Sequence, residues 1–118
     1  MFNNIIAIDE LKKMIKQERE EFIRIIKGYL KKREINQTKL AKEINEDVKL
    51  VNKVLNLIVN NKKVIVKILM YLNINLMDSV ALLFKLGIGL SYFDIEERKW
   101  LELLSSSEKV DLETIKKL

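Results

Sequence analysis

The run Asn36-Gln37-Thr38-Lys39-Leu40-Ala41-Lys42-Glu43-Ile44-Asn45-Glu46-Asp47-Val48-Lys49-Leu50-Val51-Asn52-Lys53-Val54 decides how this chain is read. Asn36 stands where a helix N-cap belongs, because its short side-chain oxygen can accept from an orphan amide of a first helical turn. Leu40, Ala41 and Ile44 then fall on one face of a helix of about two turns. Asn45 tolerates the left-handed backbone that a tight turn requires. Asp47 is a second capping residue and opens a helix that carries Val51, Val54 and Leu55 inward. Two short amphipathic helices joined by a bend through Asn45 and Glu46 are expected.

Helical periodicity continues on both sides. Upstream, Asp9 can cap a helix carrying Leu11, Met14 and Ile15, and the stripe resumes at Phe22, Ile25, Ile26, Tyr29 and Leu30. One long helix or two short ones both fit. Downstream, Asn61 caps a helix with Ile65, Ile68, Leu69 and Leu72 buried, stopped at Asn73. Leu76 to Leu86 is a fifth helix, apolar nearly all round, and therefore central or at an interface. Gly87 to Gly89 breaks the chain. Asp94 with Glu97 makes a capping-box start for a sixth helix, Ser105 to Ser107 form a linker, and a last amphipathic turn or two begins near Asp111. The fold class expected is all-α.

With 118 residues, the chain has the length of one domain. It contains no cysteine and no histidine, which excludes disulfides, thiolate zinc sites, cysteine nucleophiles, triads and imidazole bases. No enzymatic activity, cofactor or metal is expected. The formal net charge is +5, which admits nucleic acid as a partner. The charge is uneven: residues 1–63 carry net +6 and residues 64–118 carry net −1, so a polyanion should meet the first half. Met1 to Ile8 lacks the basic leader and cleavage site of a secretory signal. Lys67, Asn73, Asn75, Asp78 and Lys85 interrupt Val64 to Leu90 too often for a bilayer span. A soluble cytoplasmic protein without membrane contact is expected.

In this register the segment resembles the phage-repressor, Cro-like (XRE-type) helix-turn-helix family. Gln37, Leu40, Ala41, Ile44, Asp47, Val51 and Val54 fall into the family pattern without a gap. The small Ala41 suits two helices crossing closely, with Leu40, Ile44, Val51 and Val54 filling the wedge between them. Glu34 and Asn45 stand where the family often has glycine, Asn73 stands for another, and Leu57-Ile58-Val59 replaces a polar loop. The resemblance implies a five-helix lambda-repressor-like domain over residues 22–86, after a helical extension over 1–21 and before a helical dimerisation segment over 87–118. It implies a sequence-specific regulator of transcription that binds double-stranded DNA. Val48, Lys49, Asn52 and Asn56 would read bases in the major groove. Gln37, Thr38, Lys39, Lys53, Lys62 and Lys63 would hold phosphate.

Paired half-sites need a two-fold partner, and the apolar excess of the second half suggests a homodimer through Leu83, Phe84, Leu90, Tyr92, Phe93 and Trp100. A rival expectation comes from Leu50, Leu57, Ile58 and Val59, whose aliphatic character suits a protein-interaction module, such as an antirepressor or the partner of a paralogous repressor. Gly87-Ile88-Gly89 reads as a helix-helix turn, and Asp94, Glu96 and Glu97 as helix-start charges.

Overall fold

Local backbone chemistry sets the helix boundaries of the computed structural model, which describes the backbone from Asn3 and the side chains from Ala7 to Leu118. The reading of the chain's start rests partly on Met1 and Phe2, which lie outside the described residues. The helices are α1 (Asn3–Lys32), α2 (Gln37–Glu43), α3 (Val48–Leu55), α4 (Lys62–Tyr71), α5 (Leu76–Lys85), α6 (Arg98–Ser105) and α7 (Leu112–Lys116), with a 3-10 turn at Leu90–Tyr92 and no strand among the described residues. Asn36, Asp47, Asn61, Asn75 and Asp111 each accept a first-turn backbone amide in their side chains. Asp94 and Glu97 cap each other's amides reciprocally, at 2.8 and 3.1 Å. Asp9, expected as a cap, lies inside α1, which is one unbroken helix.

The first five helices end alike. In each, one amide reaches back three residues and the next reaches back five, as in Asn45 to Lys42 with Glu46 to Ala41. This closure needs a left-handed residue at the first of the two positions. Glu34 (φ 57°), Asn45 (56°), Leu57 (60°), Asn73 (56°) and Gly87 (75°) supply it. The places where glycine was missed are therefore places where the backbone takes a glycine-like conformation.

The core is one cluster. Val64 to Met70 of α4 is buried on every side, making α4 the central helix. Around it lie Phe22, Ile26 and Leu30 of α1, Leu40 and Ala41 of α2, Val51, Val54 and Leu55 of α3, and Leu82 and Leu83 of α5. Phe93, Leu104 and Ile115 join the same cluster, so the C-terminal segment supplies core to the body formed by the earlier helices. This corrects part of the expected dimer surface. Leu83 and Phe93 are taken up by the chain's own core, and Trp100 packs on it with its ring edge-on to Phe93 at 6.4 Å. Phe84, Leu90 and Tyr92 remain exposed. The fifth helix is peripheral, with Met77, Ala81 and Phe84 facing outward.

α1 continues beyond the body: residues 7–18 are all exposed, and the chain measures 54 × 30 × 22 Å. Lys85 of α5 holds it at Glu18 (2.9 Å) and Glu21 (3.5 Å), and the Glu18 hydrogen bond keeps the Lys85 amine above its usual range.

Left-handed backbone costs an ordinary side chain about 1–2 kcal/mol, partly offset by the chain entropy that glycine brings. Glu34→Gly, at an exposed position, should raise stability by about 0.5–1 kcal/mol in urea unfolding, whereas Asn45→Gly should change little. Thr114 amide donation holds the Asp111 carboxyl below its ordinary value. Folding lowers this pKa, so the cap contributes fully above about pH 4 and is lost as pH falls through the lowered value. Asp111→Asn keeps a cap without the titration. The variant should match the parent at neutral pH and exceed it in stability well below pH 4 in parallel melts.

Candidate nucleic-acid interface

α2 and α3 pack directly on one another, with Leu40, Ala41, Ile44, Val51 and Val54 all buried. Under their connection sits a side chain that in the sequence is a mere interruption of an apolar run. Lys67 of α4 is 1% exposed, and its Nζ donates to the Ile44 carbonyl at 2.9 Å and to Glu46 Oε2 at 2.5 Å. Its anion is 15% exposed. The pair joins the central helix to the bend between α2 and α3. A lone cation inside Val64–Tyr71 was the available signal, together with an acid in the turn. Beside it on α4, burial and then the charge of Glu43 push the Tyr71 hydroxyl up, so this neighbour stays neutral through the ordinary pH range.

The opposite side of α3 faces outward. Val48 is 41% exposed, and Lys49, Asn52, Lys53 and Asn56 are exposed with it. Thr38 and Lys39 of α2 are exposed and Gln37 is half-buried. A chain of amides links the two helices: Asn52 Nδ2 donates to Gln37 Oε1 at 2.8 Å, and Asn56 Nδ2 donates to Asn52 Oδ1 at 3.2 Å and to the Asn52 carbonyl at 2.9 Å. All four expected base readers and four of the six phosphate residues, Gln37, Thr38, Lys39 and Lys53, thus lie on these two adjoining helices. The family pattern had not indicated that Asn52 is oriented by Gln37.

Lys62 departs from this grouping. It pairs with Glu97 at 2.8 Å, donates to the Tyr92 carbonyl at 2.6 Å and lies 5.4 Å from the Phe93 ring centroid. Its charge is committed to the start of α6, which corrects its assignment to phosphate. Lys63 is half-buried. The C-terminal end reaches the bend, where Asn45 Nδ2 donates to the Lys116 carbonyl at 3.5 Å, and Ile115 seats α7 on α4. Among the described residues, none covers the outer edge of α3.

No family model matches the chain, and neither a curated protein nor a solved structure does. Among the described residues, no helix is long and apolar enough to cross a membrane.

Removing one partner of a buried pair strands the other in a poor solvent. Glu46→Gln leaves the Lys67 ammonium without its counter-charge and should cost about 3–5 kcal/mol in denaturant unfolding. The double variant Glu46→Gln/Lys67→Met should recover part of that loss, giving a non-zero coupling in the double-mutant cycle.

Proposed function

We propose that this chain is a non-enzymatic regulator of transcription that binds specific double-stranded DNA, acting in the cytoplasm. On this reading α2 and α3 form the helix-turn-helix of a five-helix lambda-repressor-like domain built from α1 to α5. The observation that carries it is the outer edge of α3, where Val48, Lys49, Asn52, Lys53 and Asn56 lie exposed together over a bend held from beneath.

The chemistry suits a major groove. Asn52 uses one amide hydrogen on Gln37 and one lone pair on Asn56, so its carboxamide keeps one donor and one acceptor. That is the pair an adenine edge requires. Lys49 would meet guanine acceptors and Val48 a thymine methyl. Thr38, Lys39 and Lys53, with Gln37 and Lys63 at the margins, supply contacts to phosphate. Exposed Phe84, Leu90 and Tyr92, continuous in kind with Met77 and Ala81 on α5, form the apolar face through which two copies would present paired α3 helices. Half-sites about 34 Å apart fit such a dimer.

Selection from random duplex at two salt concentrations tests the reading. An enriched inverted repeat, with retention falling steeply as salt rises, is expected. Asn52→Ala should cost about 1–3 kcal/mol on the selected site and relax preference at one position. Lys53→Ala should weaken all duplexes alike and reduce the salt slope by about one. Failure to retain any duplex at low salt overturns the proposal.

A further inference from the structure

The DNA reading gives no role to Leu57-Ile58-Val59 or to the apolar positions in the first half of α1. The structure brings these two features together. Leu57, Ile15, Lys12, Lys16, Arg19 and Glu20 line one open groove of about 310 Å³ between α1 and the α3–α4 connection. Ile58, 67% exposed, follows Leu57, and Ile8, Leu11 and Met14 are 51–58% exposed further along α1. At 3.6 residues per turn, Ile8, Leu11 and Ile15 share the face of Phe22 and Ile26, which is buried in the core. The core-facing stripe of α1 therefore runs on for about two turns that no other described residue covers fully.

Charge selects the occupant. Lys12, Lys16 and Arg19 follow at four- and three-residue steps along one flank of this stripe, and none of them is in an ion pair among the described residues. Glu20 is the single anion in the lining. Arg19 Nε is buried without a hydrogen-bond partner. In a second copy of α1, Glu18 and Glu21 are already held by Lys85, and antiparallel pairing sets three cations of each flank, with Glu20 as the one acid in the lining, against each other. A nucleic-acid backbone matches the cations and wastes the aliphatics, because phosphate gains nothing from Ile15, Leu57 or Ile58.

We propose that this groove docks an acidic amphipathic helix from a different protein. Its apolar stripe lies on Ile15, Leu57 and Ile58, and its carboxylates meet Lys12, Lys16 and Arg19. The inference gives the rival reading of Leu57, Ile58 and Val59 a partner of stated chemistry and does not depend on DNA binding by α3.

The test uses the full chain and three labelled helical peptides with one leucine stripe flanked by Glu, Gln or Lys, read by fluorescence anisotropy. The Glu peptide should bind, and Ile15→Asp should weaken it by at least about tenfold. The combined charge reversal Lys12→Glu, Lys16→Glu, Arg19→Glu should abolish binding of the Glu peptide and create binding of the Lys peptide. Such an exchange distinguishes recognition from misfolding, and unchanged melting curves check the fold directly. Equal binding of all three peptides, or none at submillimolar concentration, overturns the proposal. A dimer in sedimentation that Ile15→Asp abolishes overturns it in favour of a second copy. Displacement of the Glu peptide by duplex DNA, with duplex binding lost in the charge-reversed chain, overturns it in favour of nucleic acid.

Discussion

The ammonium of Lys67 is the constraint from which the rest of the body follows. A cation removed from water must find oxygen, and here it finds the Ile44 carbonyl and the Glu46 carboxylate, one on each side of Asn45. The bend between α2 and α3 is thereby tied to the most buried helix in the chain. The angle between those two helices is set by aliphatic packing and by a directional polar clamp together. Packing alone tolerates sliding, whereas a buried ammonium held by two fixed oxygens does not. A surface that depends on where α3 points inherits this precision.

Much of the architecture was legible because its causes are local. Asn36, Asp47, Asn61 and Asp111 announce helix starts by chemistry that acts within three residues, and the reciprocal Asp94 and Glu97 pair does the same. The outward placement of Lys49, Asn52 and Asn56 followed from the helical period once Asp47 was recognised as the cap. Asp9 misled because a good capping residue also sits comfortably on an exposed helical face, and α1 runs through it.

What was not legible depends on contacts between residues far apart in the chain. The partners of Lys67 lie 21 and 23 residues away, and those of Lys62 lie 30 and 35 away. No periodicity indicates that one lysine in α4 is structural and another is tied to the start of α6. The same holds for Leu83 and Phe93, whose apolar character suited a dimer face and a core equally. Only the three-dimensional position of the C-terminal segment, folded back against α4 and α5, decides between them.

The unbroken course of α1 has a mechanical consequence. An α-helix bends sharply only where its hydrogen-bond ladder is interrupted, commonly at proline, and α1 contains no proline. Its exposed half is therefore a stiff outrigger continuous with a beam that is bolted into the interior at Phe22, Ile26 and Leu30. A load placed on Leu11 or Ile15 would act with leverage on those three side chains.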